Sequence, residues 1–418
     1  MTYEEARSFV DSYSHSGAPV ESLDRTAALL SSLGNPQDTL RFIHIAGTNG
    51  KGSVTEYLSR ALVECGYRTG TLTSPYIRHY RDRIRMDLID ISKEAFCRIC
   101  ARVARAAGDF PYSQFEITMA IALCYFEEEK AQVVVLETGI GGRLDSTNII
   151  EPPLVSIITP VSMDHMALLG NTLEEIAAQK AGILKKGSKA VFSCDCRTQA
   201  LDVLKSYADA EGVPYVIPSG DECVIHSCKF TGSWFTYKGQ EYNLIMGGKH
   251  QVNNAMTAIE AIEILRQKKY RLPQNKVVKA LSETSVPARL QVLQQDPLVI
   301  LDGGHNADGV GTLVRAISES GIPTWIAVCG MMEGKDRDAA AFQLALVTKR
   351  VICVDGFAEG AVPADVLAAA FTRQHAMAQT MSIEEALPYA IRWAKGSHGA
   401  VVICGSLYLA NRYLNPEV

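Results

Sequence analysis

Short, almost wholly apolar segments alternate along the chain with longer segments whose apolar residues recur every three or four positions. The short segments are typical of strands covered on both faces, and the longer ones of helices. This alternation predicts a parallel α/β architecture. The clearest predicted strands lie at 133–137, 155–159, 190–193, 299–302, 324–329, 351–355 and 400–404.

The pattern changes at 223–244, a segment rich in aromatic residues, where we expect a small antiparallel insertion. A helical pattern follows at 253–266, and a polar, irregular stretch near 282–287 precedes a new series of strand and helix patterns. A chain of 418 residues is too long for one hydrophobic core. We therefore predict two domains, at 1–285 and 286–418.

Composition and charge narrow the class of protein. A hydrophobic fraction of 47% and a charged fraction of 21% are those of an ordinary globular protein. The formal net charge of −5 gives no reason to expect nucleic-acid binding, and no apolar run approaches the ~20 residues needed to cross a bilayer. The first residues lack the basic and apolar regions of a signal peptide. We expect a cytoplasmic enzyme with small-molecule substrates and no nucleic-acid or membrane partner.

The eleven cysteines are scattered, and two pairs are closely spaced, Cys97-x-x-Cys100 and Cys194-x-Cys196. Neither pair has a second pair at the spacing of a zinc site. Cys97 and Cys100 lie on a helical pattern, so we expect helix packing there. Reduced thiols also fit a cytoplasmic protein.

The segment 47–53, Gly-Thr-Asn-Gly-Lys-Gly-Ser, joins a strand pattern to a helical pattern. Its glycines let the backbone curl so that successive N–H groups point at an anion, and the helix N-terminus and Lys51 add positive charge. Ser53 supplies a hydroxyl for the Mg²⁺ that accompanies a nucleotide. The spacing departs from the usual P-loop, because Ile45 replaces the first glycine and Gly52 separates Lys51 from Ser53. We predict a polyphosphate site at Thr48, Asn49, Gly50, Lys51, Gly52 and Ser53.

Two further groups of polar residues follow predicted strands, at the edge where parallel α/β sheets bind ligands. Glu137 ends the strand at 133–137, where it can either ligate a metal or cap the next loop; the phosphate loop upstream favours the metal. Asp164 and His165 follow the strand at 155–159 and can complete a second Mg²⁺ site, although a lone histidine is more often structural. Lys180 lies near the end of a helical pattern, which by itself indicates a surface lysine that complements the helix dipole.

These groups, and others along nearly the whole chain, resemble the folylpolyglutamate synthases, including bifunctional dihydrofolate synthases, of the Mur-ligase superfamily. The resemblance implies a P-loop-type, mostly parallel N-terminal ATPase domain and a smaller Rossmann-like α/β C-terminal domain. It also implies a reaction in which ATP phosphorylates a carboxylate of a folate substrate and the amino group of L-glutamate displaces the phosphate. The matching segments are 47–53, 74–76 with 82–84, 115–118, 137–148, 164–165 with 169–170, 180–183, 250–255, 289–291, 301–306, 335–336 and 405–408.

The resemblance assigns roles to individual residues. ATP, two Mg²⁺ ions, a folate or dihydropteroate and L-glutamate are the implied ligands, and a monomer is the implied state. Lys180 corresponds to a lysine that is carbamylated in the superfamily, although Gln179 stands where glutamate is usual. The implied catalytic residues are Lys51, Lys180, Asp302 and His305. The implied nucleotide ligands outside the loop are Asn254, Arg289 and Asp302; the implied metal ligands are Ser53, Ser74, Glu137 and His165; the implied pterin-substrate residues are Asp24, Arg25, Phe115, Glu116, Leu144, Asp145 and Ser146.

Some positions depart from the family pattern. Ala288 replaces the usual glycine before Arg289, which leaves the hinge backbone less free, and Ala307 replaces a proline. Tyr76 stands where bifunctional members often have histidine, which favours polyglutamylation alone without excluding dihydropteroate. Two alternatives remain: another Mur-type amino-acid ligase, which Gly52 disfavours, and a nucleotide-gated interaction protein without catalysis, which the full set of site residues disfavours.

Overall fold

The computed structural model describes residues 1–13 and 22–415, which form two compact units. The first unit comprises the described residues up to Glu222 together with Asn253–Thr284, and the second comprises Cys223–Val252 and the described residues from Ser285. The predicted division differs from this one in two respects: Cys223–Val252 belongs to the second unit, and that unit resumes at Ser285, one residue earlier than predicted. One reason is that Phe230 packs on Trp325 of that unit, with ring centroids 5.7 Å apart.

The sheet of the first unit has eight strands: β1 Phe42–Ala46, β2 Thr69–Leu72, β3 Ile84–Met86, β4 Ile89–Asp90, β5 Val133–Glu137, β6 Val155–Ile158, β7 Ala190–Phe192 and β8 Tyr215–Val216. Their order is β4–β3–β2–β5–β1–β6–β7–β8. The six strands from β2 to β8 in this order are parallel, and β3 and β4 are antiparallel. β1 and β5 are buried along their whole length, as their apolar sequences predict.

Ten α-helices belong wholly or mainly to the described part of the first unit: α1 Tyr3–Asp11, α2 Asp24–Ser32, α3 Lys51–Glu64, α4 Lys93–Ala107, α5 Gln114–Glu128, α6 Met166–Leu169, α7 Leu173–Ala181, α8 Thr198–Glu211, α9 Lys249–Gln267 and α10 Gln274–Glu283. Capping boxes at Ser113 and Thr172 start α5 and α7. On α4, Phe96, Ile99, Cys100 and Val103 form one buried stripe, so Cys100 is a packing residue of a helix, as predicted.

The second unit contains two sheets. Strands β9 Cys223–Lys229, β10 Gly232–Tyr237 and β11 Gln240–Leu244 form an antiparallel sheet, which confirms the predicted insertion. The other strands are β12 Gln291–Gln295, β13 Leu298–Leu301, β14 Trp325–Cys329, β15 Arg350–Cys353, β16 Met377–Thr380 and β17 Ala400–Cys404, in the order β12–β13–β17–β14–β15–β16. Only β12 is antiparallel among these six. The helices are α11 Ala307–Glu319, α12 Arg337–Leu344, α13 Ala364–Arg373, α14 Ile383–Ser397 and α15 Leu407–Leu414.

The predicted fold class is confirmed: a large, mostly parallel sheet in the first unit and a smaller α/β unit that follows it. All seven predicted strands are present: 133–137 and 400–404 match at both ends, and the ends of the other five differ by at most two residues. The predicted helix at 253–266 begins earlier, at Lys249. Among the described residues, no helix is long and apolar enough to cross a bilayer.

The order of the strands determines where a ligand can bind. β1 lies between β5 and β6. The strands β2 to β5 all lie on one side of β1, and β6, β7 and β8, which come later in the chain, lie on the other. The carboxyl end of β1 is therefore a switch point of the sheet, the position at which open α/β sheets form a crevice.

Candidate active site

The loop between β1 and α3 is four residues long and needs glycine at two positions. Gly50 has a φ of 86°, in the left-handed region, and a Cβ there would lie 2.6 Å from Oδ1 of Asn254. At Gly47 a Cβ would lie 1.8 Å from Oγ1 of Thr159. The predicted phosphate loop is thus packed against the start of the loop after β6 on one side and against α9 on the other.

The loop is also held by hydrogen bonds. The backbone N–H groups of Thr48 and Asn49 donate to the carbonyl of Pro160, at 2.8 and 3.3 Å. The Thr48 hydroxyl donates to the carbonyl of Ser162 and accepts from its N–H, each at 3.1 Å. We expected successive loop N–H groups to face an anion, but these two face the protein. The groups left for an anion are those of the first turn of α3, which have no intrahelical partner.

Lys51 is the first residue of α3, and its side chain folds back over the loop. Its Nζ donates to the carbonyl of Gly47 at 3.2 Å and lies 4.0 Å from Oε1 of Glu137. Both side chains are largely buried, with exposed fractions of 15% and 4%. The lysine and the carboxylate predicted from separate motifs therefore lie side by side.

Lys180 lies in the last turn of α7, but it is not the surface lysine that its position in the helix indicated. It is 3% exposed, and its Nζ donates to the same Gly47 carbonyl at 2.8 Å. Burial, and to a lesser extent the charge of Lys51, lower the pKa of Lys180 to about 7, against the opposing effect of Asp164 and Asp145. A large fraction of the Lys180 amine is therefore neutral at neutral pH.

The close packing of Gly142 against α7 places Lys180 at the sheet edge where Glu137 lies. The loop after β5 crosses the last turn of α7, where a Cβ on Gly142 would lie 2.8 Å from the carbonyl of Gln179. Arg143 N–H donates to the same carbonyl at 2.7 Å. The backbone that carries Glu137 is thereby fixed against the backbone that carries Lys180.

Two of the other predicted metal ligands, Ser53 and Ser74, follow strands at the same sheet edge as Glu137. Ser53 is buried in the first turn of α3, where a Cβ on Gly52 would lie 3.8 Å from Oε2 of Glu137. Ser74 follows β2, whose Leu72 is paired with Leu136 of β5. These hydroxyl and carboxylate oxygens are hard donors that suit Mg²⁺ together with phosphate oxygens.

His165 has a different setting from the other predicted metal ligands. It is exposed, has a φ of 50° and caps the N-terminus of the short helix α6. Its N–H donates to Oδ1 of Asp164 at 2.9 Å. Across residues 1–13 and 22–415, no group of three or more His, Cys, Asp or Glu side chains is arranged to hold a metal. A cation at this edge would therefore depend on phosphate oxygens and hydroxyls as well as Glu137.

Several of the predicted substrate residues form hydrogen bonds, ion pairs or packing contacts within the protein. Oε1 of Glu116 accepts from Arg25 Nε and from Thr26 Oγ1, each at 2.8 Å, and Oε2 accepts from Ser113 N–H. Arg25 and Glu116 therefore form a buried ion pair between α2 and α5. Phe115 lies against the loop after β5, where a Cβ on Gly139 would come within 2.9 Å of its ring. Asp24 begins α2, Leu144 is half-buried and Ser146 is buried.

Asp145 belongs to a buried polar chain that the sequence did not reveal. Its Oδ2 accepts from Ile140 N–H at 2.8 Å, and its Oδ1 accepts from the backbone N–H and the hydroxyl of Thr147. The Thr147 hydroxyl also lies 2.8 Å from Nε2 of His44. Because that hydroxyl donates to Asp145, His44 must donate to it from Nε2. Burial lowers the pKa of His44 to about 3, so the ring is neutral. A histidine inside the apolar segment 42–46 was the available signal.

The second unit carries the other predicted residues at the edge of its own sheet. Asp302 follows β13 and is buried; its Oδ2 accepts from Leu290 N–H at 2.9 Å and its Oδ1 from Gly304 N–H at 2.8 Å. Burial raises the pKa of Asp302, and the charge of Arg289 opposes this effect. Nδ1 of His305 lies 3.0 Å from the carbonyl of Gly303. Asp302 thus fixes the turn around Arg289 through backbone hydrogen bonds.

Comparison with known proteins gives consistent matches over both units. The model of the Mur ligase middle domain matches residues 45–262, and that of the Mur ligase glutamate ligase domain matches residues 288–407. The chain is 37% identical to the dihydrofolate synthase/folylpolyglutamate synthase of Bacillus subtilis over 76% of each chain. It is 31% identical to the folylpolyglutamate synthase of Lacticaseibacillus casei over 98% of this chain and 97% of that protein. A solved FPGS–AMPPCP–folate complex is similar with a TM-score of 0.87 and 30% identity, and the match covers 100% of this chain and 99% of the other.

Proposed function

Since the chain belongs to the folylpolyglutamate and dihydrofolate synthase family of Mur ligases, we propose that it attaches L-glutamate to folates at the expense of ATP. The protein is an ATP-dependent ligase of this family. The observation that carries the proposed reaction is that Lys51 and Lys180 both donate to the carbonyl of Gly47, with Glu137 beside Lys51. The comparisons favour neither a different Mur-type ligase nor a protein that has lost catalysis.

The proposed reaction has two steps. A carboxylate oxygen of the folate attacks the γ-phosphorus of ATP, the bond to the β,γ-bridging oxygen breaks, and ADP leaves. The neutral amino group of L-glutamate then attacks the acyl carbon and loses a proton, and phosphate leaves with the electron pair of the carbon–oxygen bond as the amide forms. Activation is needed because a carboxylate is a poor acceptor for an amine, whereas phosphate is a good leaving group.

The role of the residues at this edge is to let two anions meet. ATP and a carboxylate substrate repel each other, and the positive end of α3 with Lys51 offsets that repulsion. We propose that Thr48, Asn49, Gly50, Lys51 and Gly52 form the phosphate site, with Thr48 and Asn49 fixing the loop through their backbone hydrogen bonds and the start of α3 facing the phosphates. Ser53, Ser74 and Glu137 would hold one Mg²⁺, and Glu137 with His165 a second. Such ions supply charge neutralisation to the phosphates and the acceptor carboxylate.

We propose that Lys180 is carbamylated. Its neutral amine would attack the carbon of CO₂ and lose a proton, which replaces an ammonium with a carboxylate on the same side chain. The support is that burial beside Lys51 lowers the pKa of Lys180 to about 7, so the reactive neutral form is available without a strong base. A carboxylate there would relieve the repulsion between the two lysines and could support a cation.

The other family assignments remain proposals. Asn254 lies against Gly50 of the phosphate loop, which supports a role in nucleotide binding. In the second unit we propose Arg289, Asp302 and His305 as nucleotide or catalytic residues, with Asp302 acting through the turn that it fixes. Asp24, Arg25, Phe115, Glu116, Leu144, Asp145 and Ser146 are proposed to surround the pterin substrate, with Glu116 and Asp145 acting as positioning residues. We also propose a monomer.

The test is ATP-dependent incorporation of labelled L-glutamate, measured with tetrahydrofolate and with dihydropteroate in parallel. We expect product with tetrahydrofolate, together with equimolar ADP and phosphate. Product with dihydropteroate as well would assign the bifunctional activity that the Bacillus relative is named for. Absence of product with both acceptors, from folded protein that binds ATP, would contradict the proposed function.

A further inference from the structure

The loop after β7 lies at the same sheet edge as the phosphate loop, because β7 is paired in parallel with β6, and β6 with β1. The thiol of Cys196 donates to the carbonyl of Thr159 at 3.8 Å, and the N–H of Asp195 donates to the Ser193 hydroxyl at 3.3 Å. The loop after β7 is therefore fixed against the loop after β6, whose Pro160 carbonyl accepts the hydrogen bonds that hold the phosphate loop.

Asp195 connects this loop to helix α9. Its Oδ1 accepts a hydrogen bond from Nδ2 of Asn253 at 2.7 Å. Asn253 is only 8% exposed, and a buried amide needs acceptors for its N–H groups. Asp195 is exposed and supplies a charged acceptor, which forms a stronger hydrogen bond than a neutral one. The contact therefore joins the loop after β7 to α9.

The next residue of α9, Asn254, packs against the phosphate loop. A Cβ at Gly50 would lie 2.6 Å from Oδ1 of Asn254 and 3.5 Å from its Nδ2. Gly50 is the N-cap of α3, so Asn254 lies next to the helix terminus that we propose as the phosphate site. Asn253 and Asn254 are consecutive residues of one helix and must move together. The hydrogen bond to Asp195 thus fixes the position from which Asn254 meets Gly50.

We propose that Asp195 is a positioning residue for the nucleotide, which acts through Asn253 to hold Asn254 against the phosphate loop. This inference rests on the proposed function and deepens it, since it assigns a residue outside the site that supports ATP binding. Loss of the hydrogen bond weakens ATP binding and leaves the binding of the acceptor and of L-glutamate unchanged. The effect is moderate, because solvent competes for an exposed carboxylate.

The experiment removes the hydrogen bond and then restores it with donor and acceptor exchanged. The Kd for ATP is measured by calorimetry with Mg²⁺ and without acceptor or L-glutamate, so that no turnover is needed. In Asp195→Leu we expect the Kd to rise about 3- to 10-fold. Asn253→Asp places a second carboxylate opposite Asp195 and raises the Kd at least as much. Combining Asn253→Asp with Asp195→Asn restores a donor and an acceptor, and most of the affinity returns.

Steady-state kinetics separate positioning from a general loss of structure. In Asp195→Leu the KM for ATP rises, while kcat and the KM values for tetrahydrofolate and L-glutamate change little. The matched control is Asp209→Leu, at an exposed position on α8 of the same unit, which leaves the Kd for ATP unchanged. Where Asn253→Asp fails to fold, Asp195→Ala and Asn253→Ala replace it, and their effects on the Kd are less than additive because both remove the same bond.

Three results would overturn the inference: an unchanged Kd in Asp195→Leu, equal rises in KM for all three substrates, or a folded exchange variant that binds ATP no better than Asn253→Asp. Fully additive effects of the two alanine substitutions would do so as well. Turnover of tetrahydrofolate by the unsubstituted enzyme tests the proposed function separately, since the Kd measurements do not depend on the acceptor.

Discussion

The two sheet edges that carry the predicted site residues differ in how their charged side chains are paired with the backbone. In the first unit, two lysines approach the single carbonyl of Gly47, and the turn is made by glycines. In the second unit, a carboxylate, Asp302, is satisfied by two backbone N–H groups, and Ala288 and Leu290 adopt left-handed backbone with φ of 56° and 46°. At the first edge, Lys51 and the N-terminus of α3 attract an anionic ligand, whereas the carboxylate of the second edge is already paired with backbone N–H groups of its own unit.

This difference predicts whether a substitution will reduce activity or stability at each edge. At the first edge, removing a charge should affect ligand binding and catalysis far more than folding. At the second edge, removing a charge should destabilise the unit itself, because the carboxylate supports the backbone.

The largest effect is expected for Lys51→Ala. It removes the charge next to the predicted phosphate site, so ATP-dependent amide formation should fall by about 10³-fold. The melting temperature should change little, because Lys51 Nζ donates to two carbonyls of its own loop, at 3.2 and 3.5 Å, and its distance from Oε1 of Glu137 is 4.0 Å, too long for a hydrogen bond. Lys186→Ala, at an exposed position on the same unit, is the control. Near-normal turnover in Lys51→Ala would refute the phosphate-site assignment.

Lys180→Met should abolish amide formation and also change how stability depends on pH. The folded pKa of Lys180 lies near 7 and its unfolded value near 10.5, so the unfolded chain binds the extra proton between them. The contribution of Lys180 to the free energy of unfolding is therefore greatest above the unfolded pKa. It falls as pH decreases and is lost once pH has fallen through about 7, where the folded protein must also hold the protonated amine. Between pH ~7 and ~9 the free energy of unfolding of the unsubstituted protein should gain on the order of 2 kcal/mol from this residue.

Denaturant unfolding at several pH values in CO₂-depleted buffer, where Lys180 is a free amine, measures this slope, which Lys180→Met should lack. Added short carboxylic acids should restore part of the activity of Lys180→Ala, where the truncated side chain leaves room for them. A pH slope that is the same with and without Lys180 would refute its lowered pKa, and normal activity of the variants would refute the carbamate proposal.

Asp302→Ala should reverse the pattern seen at Lys51. It leaves two buried backbone N–H groups without an acceptor, so the free energy of unfolding should fall by about 2–4 kcal/mol. Asp302→Asn keeps one acceptor oxygen and should lose about half as much. Denaturant titration of both variants measures the difference. If Asp302→Ala unfolds like the unsubstituted protein, the two edges do not differ as described.

The smallest effect is expected for Ala288→Gly. A left-handed backbone costs an alanine about 1–2 kcal/mol, and glycine removes this strain. Glycine also has more conformational freedom in the unfolded chain, which offsets much of that gain in stability. The free energy of unfolding should rise by about 0.5 kcal/mol. Gly50→Ala is the opposite change at the other edge, and it should destabilise because its Cβ would meet Asn254. A loss of stability in Ala288→Gly would show that the turn is not strained.

Much of this protein follows from its sequence alone. Apolar segments such as 133–137 specify buried parallel strands because both faces of such strands are covered. The glycines and lysine of 47–53 predict an anion site, because glycine lets the backbone curl and the helix N-terminus and lysine supply positive charge. The ordered motifs from 47–53 to 405–408 were sufficient to identify the family, and the comparisons confirm it.

Only the tertiary structure decided the environment of each charge. Lys180 has the sequence of a surface lysine at a helix end, yet the close approach of Gly142 to its helix turn buries it beside Lys51. Glu116 has the sequence of a ligand-binding carboxylate, yet Arg25 and Thr26, about 90 residues earlier in the chain, donate to one of its oxygens. Local pattern sets the backbone, because hydrophobic periodicity and turn chemistry act between near neighbours. Burial and electrostatic partners depend on residues far apart in the chain, so they appear only when the sheets bring those residues together.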